Sequence, residues 1–341
     1  MQLWFLVFGV KMKYRATCYS TDGTIKYMLD VPARDMISSK GLEASIEAAF
    51  IPLPGREDGK SEYTLCLSSQ IGCVYRCHMC KNMFASFYGA LSSQQLNEQI
   101  TLVLSLDKNL EKVVAAGSVE YAFMAMGEPL FGGSVIRAIQ NHIPMVKDTR
   151  FALSTVGAEG TIRKLAAADL PFPVRIEVSL HFSDDATRVE WLEPNMWFFN
   201  ARPVLRIAKT LAEAEEYAQK RPGKVTLNYA LIDGINNMDR NVAEIARLLK
   251  GRESVFYVKV MRPNLTSSFV FSHREFDTPQ TYGPEAFAER LRQVGIPVTV
   301  FESKGQDITA GCGMMTVNFG GKRGVFTPEH IPQADPSKLG Y

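Results

Sequence analysis

Residues 73–80 read Cys-Val-Tyr-Arg-Cys-His-Met-Cys, which places Cys73, Cys77 and Cys80 in a C-x3-C-x2-C pattern. Thiolates at such short spacing can turn toward one inorganic centre, and they are the ligands that iron–sulfur clusters require. Three thiolates on a four-iron cluster leave one iron without a protein ligand. That iron can bind the amino and carboxylate groups of S-adenosylmethionine (SAM). The pattern therefore predicts reductive cleavage of SAM, with the protein aligning cofactor and target atom and excluding water.

Two other readings of the three cysteines compete with this one. A structural zinc site would need a fourth ligand, which Cys66 or His78 could supply, but the sequence lacks the second C-x2-C of common zinc sites. A two-cluster ferredoxin would carry a C-x2-C-x2-C-x3-C run, which is absent. The spacing favours radical SAM chemistry, and zinc stays open as the alternative.

Length and composition describe an ordinary globular protein. The chain has 341 residues, of which 46% are hydrophobic and 22% charged. This length fits one α/β barrel with an appendage or two domains. The net charge of +2 neither requires nucleic acid nor forbids it. Six cysteines, three of them clustered, indicate a reducing cytosol and not a disulfide scaffold.

The apolar start at residues 4–10 (WFLVFGV) lacks the flanking features of a signal peptide and is too short to cross a bilayer. It is predicted to be a first strand, or to lie upstream of a natural start at Met12. No later apolar run reaches membrane-spanning length, so we expect a cytoplasmic protein that does not enter the membrane.

The sequence up to residue 61 is predicted to form a small β-rich module. Strand-like runs flank Thr21-Asp-Gly23, and Asp-Gly between such runs indicates a hairpin. A further strand is predicted at 43–52, followed by a polar loop at 54–61. The predicted division of the chain is a module at 1–61, a core at 62–318 and a tail at 319–341.

From residue 62 onward, short apolar runs alternate with amphipathic stretches. Candidate strands lie at 63–68, 119–126, 151–155, 174–181, 225–232, 255–261 and 297–302. Candidate helices lie at 93–106, 133–146, 160–168, 204–220, 238–249 and 284–294. This alternation is typical of a parallel sheet with helices outside. About six repeats predict an α/β fold with a partial (β/α)6 barrel, whose ligands would sit at the carboxyl ends of its strands.

Met126-Gly-Glu-Pro129 follows one predicted strand. Gly127 permits close approach of the backbone, and Glu128 could accept hydrogen bonds from a cationic amine such as that of SAM. Taken alone, these residues are explained slightly better by an ordinary Gly-Pro turn.

Small polar residues end three more predicted strands and are candidate cofactor contacts. These residues are Ser154, Ser179, His181 and Asn264. Ser179 and His181 share one face of a strand because side chains alternate. The alternatives are a structural histidine and, for Asn264, a helix cap or turn. Their convergence beside a cluster favours cofactor binding.

Two further cysteines are candidates for chemistry. Cys66 lies seven residues before Cys73, and Cys312 lies between two glycines after a late strand. Free cysteine is usually a small buried hydrophobe, which describes Cys18 well. A cysteine flanked by glycines can approach a ligand closely, and it becomes reactive if its pKa is lowered.

Taken together, these motifs resemble those of the RlmN/Cfr family of radical SAM RNA methyltransferases. The ordered set is L-C-x-S-S-Q-x-G-C-x3-C-x2-C at 65–80, M-G-E-P-L at 126–130, L-S-T at 153–155, S-L-H at 179–181, L-x-D-G-x-N at 231–236 and D-I-x-A-x-C-G at 307–313. The resemblance covers most of residues 43–316.

The resemblance implies two SAM molecules per turnover and a [4Fe-4S] cluster on the three clustered cysteines. Cys312 would be methylated by polar displacement, and its methyl, after loss of a hydrogen, would add to an adenine carbon, C2 and not C8. Cys66 would release the adduct, leaving a disulfide with Cys312. Glu47 falls on the glutamate that is proposed to orient or deprotonate the adenine. An external one-electron reductant such as flavodoxin or ferredoxin, an RNA substrate and a monomeric state complete the expectation.

The chain departs from the family pattern in two places. Residues 1–42 are too few for the usual N-terminal helical RNA-binding domain, and the run at 86–91 lacks a basic residue. A short basic stretch at 320–324 could contact phosphate. The alternatives are therefore the same chemistry on an adenine-containing small molecule, natural-product precursor or peptide, or a non-catalytic RNA-binding or zinc-stabilised protein.

Overall fold

The computed structural model describes most of the region from the first hairpin to the Cys312 loop. The described residues are 12–31, 44–53, 62–85, 87–106, 118–142, 144, 149–192, 194, 205–221, 223–264, 281–315 and 318–319. The sequence predictions for 4–10, 54–61 and 320–324 lie outside these residues.

The strands follow the predicted order. Three N-terminal strands are β1 Lys13–Tyr19, β2 Ile25–Val31 and β3 Ala44–Leu53. The later ones are β4 Glu62–Leu67, β5 Gln70–Ile71, β6 Gly89–Ala90, β7 Ser118–Phe123, β8 Thr149–Thr155, β9 Val174–Ser179, β10 Val225–Ala230, β11 Phe256–Met261, β12 Val298–Phe301 and β13 Asn318–Phe319. All seven strands predicted after residue 62 are confirmed.

The helices alternate with these strands. They are α1 Ser93–Leu106, α2 Ser134–Gln140, α3 Thr161–Ala167, α4 Asp185–Trp191, α5 Ile207–Lys220, α6 Asp239–Leu249 and α7 Pro284–Gln293. The six predicted helices are confirmed, although the one predicted at 133–146 ends at Gln140, and α4 was not predicted. The equally short α2 and α3 bury apolar residues at helical spacing, whereas the buried residues of α4 are Arg188 and Trp191, which form no apolar stripe. Asp184 caps α4 by accepting a hydrogen bond from the Thr187 N–H at 2.8 Å. None of the described helices is long and apolar enough to cross a membrane.

The sheet is an open barrel. Its strand order is β1-β2-β3-β4-β7-β8-β9-β10-β11-β12, and all neighbours from β4 to β12 are parallel. Six strand–helix units followed by a last strand form the predicted partial barrel. Consequently the carboxyl ends of all these strands, and the loops that follow them, lie at one end of the barrel.

The N-terminal strands extend the same sheet. β1 and β2 form the predicted hairpin, and β3 pairs antiparallel with both β2 and β4. Gly23 adopts a φ of +85° in the turn, where Asp22 accepts a hydrogen bond from the Thr24 N–H at 2.9 Å. The hairpin is therefore hydrogen-bonded through β3 to the barrel, and the domain boundaries stay a prediction.

Alternation of side chains gives each barrel strand two different faces, as β9 illustrates. Val174, Ile176 and Val178 are buried in the main apolar core, which is shared with the helices. Arg175 and Glu177 point to the other face, into the barrel, where they carry hydrogen bonds and ion pairs. The barrel interior is therefore polar at this strand.

Candidate active site

The three clustered cysteines lie in the loop that follows β4 and β5. The Tyr75 N–H donates a hydrogen bond to the Cys73 sulfur at 3.4 Å, and the Cys80 N–H donates to the Cys77 carbonyl at 2.9 Å. The Asn82 side-chain amide donates to the Cys80 sulfur at 3.7 Å. A second apolar cluster surrounds the loop, and its buried members include Val74, Tyr75, Met79, Phe87, Phe182 and Trp191. Packing thus holds the loop at the carboxyl end of the barrel.

Electrostatics link the three thiols to one another. Burial raises the pKa of Cys73, Cys77 and Cys80, and the charges of the neighbouring cysteines raise those of Cys73 and Cys77 further. Thiols held in this way are neutral at pH 7 until a metal binds, because coordination deprotonates a thiol. A set of three soft sulfur donors fits an iron–sulfur cluster.

The geometry is less suited to a single metal ion. Among the described residues, no three Cys, His, Asp or Glu side chains could hold one metal ion. Thiolates that share one zinc lie within about 5 Å of each other, because each Zn–S bond is about 2.3 Å long. Thiolates on separate irons of a cube are spaced more widely. The three thiols of the cysteine loop remain the donor set that an iron–sulfur cluster requires.

Gly127 approaches this loop closely. Its φ is +99°, and a Cβ there would lie 2.6 Å from the side chain of Gln70. The Gly127 N–H hydrogen-bonds to the Cys73 thiol and lowers its pKa, against the larger effect of burial. The structure therefore brings the Met-Gly-Glu-Pro turn against a cluster cysteine, for which glycine is required.

The Glu128 carboxylate connects the ends of neighbouring strands. It accepts hydrogen bonds from the Thr155 hydroxyl at 2.6 Å, the Val156 N–H at 2.9 Å and the Leu130 N–H at 3.1 Å. Burial raises its pKa, while these hydrogen bonds lower it. Both carboxylate oxygens thus have protein donors, and binding of a SAM amine by Glu128 stays a prediction.

The serines predicted at the strand ends lie together. The Ser154 and Ser179 hydroxyls are 3.3 Å apart across β8 and β9. His181 has a positive φ of 55°, and its Nδ1 accepts a hydrogen bond from the Ala230 N–H at 3.1 Å. Burial lowers the pKa of His181 to about 3, so the ring is neutral at pH 7. His181 therefore links the end of β9 to β10, which agrees with the alternative that it is a structural histidine. Its contact with a cofactor stays a prediction.

The loop that carries Cys312 is hydrogen-bonded to several parts of the site. The Asn264 side chain donates to the Cys312 carbonyl at 2.9 Å, and the Cys312 N–H donates to the Ser303 hydroxyl at 2.9 Å. The Lys81 N–H donates to the Gly313 carbonyl at 2.8 Å. Asn264 thus holds the Cys312 backbone, and Lys81 joins this loop to the residue after Cys80.

Glycine beside Cys312 is required by packing. A Cβ on Gly311 would lie 2.7 Å from the Asn264 amide nitrogen and 2.8 Å from the Ser303 hydroxyl. The two side chains that hold Cys312 therefore need glycine at the preceding position.

Cys66 and Cys312 interact electrostatically. Cys66 is buried on β4, whereas Cys312 is exposed, and both are free thiols. Burial raises the pKa of Cys66, and the charge of Cys312 raises it further. Burial by the surrounding protein also raises the pKa of Cys312. The positive charge of Lys259 lowers this pKa, and the negative charge of Glu177 raises it. Cys312 is thus accessible to solvent and yet surrounded by enough protein to raise its pKa, as expected for a side chain in the wall of a concave site.

Glu47 lies on β3 in a buried ion pair. Its Oε1 is 3.4 Å from the Lys26 Nζ, and both side chains are almost inaccessible to solvent. The Glu47 backbone carbonyl accepts a hydrogen bond from the Ser68 hydroxyl at 2.6 Å. Contact with an adenine stays a prediction for this residue.

Sequence reasoning missed Arg188, which is fully buried on α4. Its guanidinium donates to the carbonyls of Leu180, Ser179, Leu205 and Val156. It therefore braces the ends of β8 and β9 beside the serines. Nothing in the local sequence distinguishes this arginine from an exposed helical one.

A buried charge network inside the barrel was also missed. Glu177 accepts hydrogen bonds from Lys259 at 2.6 Å and from the Asn228 amide at 2.9 Å, and it pairs with Arg175. Against its own burial, the charges of Lys259 and Arg175 lower the pKa of Glu177 to about 2. Lys259 also lies over the Phe301 ring at 4.9 Å. Glu177 lies two residues before Ser179 and therefore on the same face of the strand. This spacing is the one weak signal in the sequence that could have pointed to it.

A cavity of about 420 Å³ lies at the opposite end of the barrel, at the strand starts. Its lining includes Glu120, Arg150, Arg175, Arg221 and Lys224, and none of the cysteines. Ligands of parallel barrels bind at the carboxyl ends of the strands, so the cysteine loops mark the site and this cavity does not.

An open parallel barrel that carries a C-x3-C-x2-C loop after its first strand defines a radical SAM enzyme. The structure of a radical SAM methyltransferase from Sphaerobacter thermophilus matches it with a TM-score of 0.68 and 26% identity, covering 89% of this chain and 81% of that one. The chain is thus a radical SAM methyltransferase.

Sequence relatives identify the family more narrowly, although no family model matches the chain. A probable dual-specificity RNA methyltransferase RlmN of Frankia casuarinae is 32% identical over 312 residues, covering 86% of this chain and 68% of the relative. One from Synechococcus elongatus is 30% identical over 306 residues, covering 88% of this chain and 75% of the relative. The chain belongs to the RlmN family.

Proposed function

We propose that this enzyme methylates C2 of adenosine in RNA through a methyl group carried by Cys312. One observation carries the proposal: the Cys312 loop is hydrogen-bonded to the cysteine loop, from the Lys81 N–H to the Gly313 carbonyl at 2.8 Å. In support, the charge of Cys312 raises the pKa of Cys66. The relatives named as RNA methyltransferases RlmN support RNA as the substrate class.

Cys73, Cys77 and Cys80 would hold a [4Fe-4S] cluster. When bound with SAM, the cluster supplies the one-electron chemistry that abstracts a hydrogen atom. Gly127, Ser154 and Ser179 would line the SAM site next to the cluster loop, together with Glu128, His181 and Asn264. The apolar residues packed around the loop would limit the access of water to it.

Cys312 would supply the carbon. Its thiolate would take the methyl group of SAM, with S-adenosylhomocysteine as the leaving group, and the Lys259 ammonium favours that thiolate against burial. The methyl then loses one hydrogen atom, and its carbon bonds to the ring carbon next to it. An electron-poor ring carbon is a poor target for polar methyl transfer, and a tethered carbon gains from proximity and from splitting the reaction in two.

Cys66 would release the product. Its sulfur bonds to the Cys312 sulfur, the bond between that sulfur and the new methylene breaks, and the methylene carbon takes a proton. In the preceding step the ring radical would give up one electron, which an oxidised cluster on Cys73, Cys77 and Cys80 could accept, and the C2 proton would be lost, for which Glu47 is the candidate base. A disulfide between Cys66 and Cys312 remains, and an external thiol must reduce it before the next turnover.

The base must leave its stack to reach this loop. Extruded or single-stranded bases are the form in which enzymes modify RNA within a pocket. A flavodoxin-type or ferredoxin-type reductant and a monomeric state are further parts of the proposal.

Mass spectrometry of RNA nucleosides from cells with and without the gene tests the function. We expect 2-methyladenosine to fall in one RNA class when the gene is deleted and to return with the wild-type gene. Unchanged 2-methyladenosine, together with a methylated small molecule or peptide that depends on the gene, would overturn RNA as the substrate.

A further inference from the structure

The β1–β2 hairpin is hydrogen-bonded to the loop that carries Cys312. Asp22 in the hairpin turn accepts a hydrogen bond from the Gly305 N–H at 2.7 Å. Asp307 accepts one from the Ser20 hydroxyl at 2.6 Å and one from the Thr21 N–H at 3.2 Å. These contacts join residues more than 280 positions apart in the chain, so they fix the loop in space and do not merely shape it locally.

The two segments also touch without space between them. Gly305 has a φ of +67°, and a Cβ there would lie 2.8 Å from the Thr24 side chain. Any side chain at this position would therefore push the loop off the hairpin. The loop and hairpin form one packed unit at this point.

Lys26, on β2 of the same hairpin, contacts both the Cys312 loop and Glu47, the candidate base. Its Nζ donates to the Thr309 hydroxyl at 2.9 Å and lies 3.4 Å from Glu47 Oε1, and Lys26 is 1% exposed. Thr309 stands three residues before Cys312 with a φ of +54°, which a β-branched residue rarely adopts. A specific contact must hold Thr309 in that conformation.

The same contact lies close to the cysteine loop. The Lys81 N–H, next to Cys80, donates a hydrogen bond to the Gly313 carbonyl of the Cys312 loop at 2.8 Å, and the charges of Glu47 and Lys26 both affect the pKa of the Lys81 side chain. The hairpin lysine, the β3 glutamate and the two loops therefore meet in one place.

We propose that Lys26 is a positioning residue for the methyl transfer. By binding both the Thr309 hydroxyl and the Glu47 carboxylate, Lys26 fixes the position of the Cys312 loop relative to Glu47. The roles of Cys312 and Glu47 in this statement rest on the proposed function, whereas the mechanical link does not. A carbon that must be presented to a ring loses much of its reactivity when it is displaced by about 1 Å. The buried ammonium has a fixed distance to both partners, so it sets where Cys312 stands relative to Glu47.

Hydrogen–deuterium exchange of the cluster-loaded enzyme tests the link without any turnover. Thr309→Val removes the hydroxyl at almost constant shape, and Thr309→Ser keeps it. We expect about tenfold faster exchange of amides 305–312 in Thr309→Val and in Lys26→Met, because a hydrogen bond to a charged group is lost. Thr309→Ser should behave as wild type, and so should Lys220→Met, whose lysine is exposed on α5.

Kinetics then separate positioning from general damage to the fold. Once Cys312 is methylated, single-turnover transfer to substrate should slow at least about tenfold in Thr309→Val, while KM for the substrate stays within twofold and Thr309→Ser recovers the rate. Exchange and transfer rates equal to wild type in Thr309→Val would overturn the proposal. If amides 305–312 of the wild type exchange slowly but the enzyme methylates no RNA, the proposed function is wrong, whereas the contact between Lys26 and the Cys312 loop is supported.

Discussion

Removal of the charge from Glu177 gives the sharpest test of the electrostatics inside the barrel. Lys259, Arg175 and Asn228 contact this carboxylate and keep it ionised although it is buried. A pKa lowered from 4.5 to about 2 corresponds to about 3 kcal/mol of folding free energy at neutral pH. We expect Glu177→Gln to lose stabilisation of this order, and more where the Lys259 ammonium is left unpaired.

A double-mutant cycle with Lys259→Met isolates the pair. Lys259 is one of two cationic partners of Glu177, so we expect a coupling energy of about 1 to 2 kcal/mol, with the double variant more stable than the two single losses predict. Urea unfolding at pH 7 of all four proteins, in one cluster-loading state, measures it. The exposed pair Lys220 and Glu216 is the matched control and should show additive losses.

Acid gives an independent check on the same pair. The folded-state pKa of Glu177 is lowered, so its contribution is present above about 4.5 and is lost as the pH falls toward 2. The stability difference between wild type and Glu177→Gln should therefore shrink over that window. Additive losses at pH 7, or a difference that does not depend on pH, would refute the reasoning.

Three further outcomes are expected. Cys312→Ala should abolish methyl transfer and keep the visible absorbance of the cluster; a variant that still methylates substrate would exclude the methyl-cysteine route. Cys66→Ala should accumulate a covalent adduct between substrate and Cys312, detectable by intact-mass spectrometry, and release of free product would count against its resolving role. His181, neutral with a pKa lowered to about 3 by burial, contributes stability that is full above 6.5 and lost between 6.5 and about 3. His181→Gln should flatten the decline of unfolding free energy between pH 7 and 5, and an unchanged slope would contradict that assignment.

Local patterns were enough to predict the barrel. The near-continuous apolar runs of parallel strands, separated by amphipathic helices, predicted the seven barrel strands β4 and β7 to β12, because burial on the helix face dictates those residues. The two-residue strands β5, β6 and β13 were not predicted. The ends of the strands were predicted less accurately than their positions. The strand predicted at 174–181 ends at Ser179, since the positive φ of His181 takes the backbone out of the sheet.

The motif cysteines could likewise be found from spacing, because their ligand positions lie within one loop. The contact between Lys26 and the Cys312 loop could not be found in this way, since Lys26 and Thr309 are 283 residues apart and only the folded chain brings them together. Lys26 looks like an ordinary strand lysine, and Arg188 looks like an exposed helical one. Their burial, 1% and 0% exposed, is a property of tertiary packing that no local pattern encodes.

SAM with a fully deuterated methyl group tests the central claim most directly. If Cys312 carries the carbon and its methyl loses one hydrogen before transfer, the new methyl on adenosine should contain two deuterium atoms and one hydrogen. Mass spectrometry of the product nucleoside from purified, cluster-loaded enzyme reads this number. A product that keeps all three deuterium atoms would mean direct displacement onto the base and would contradict the account.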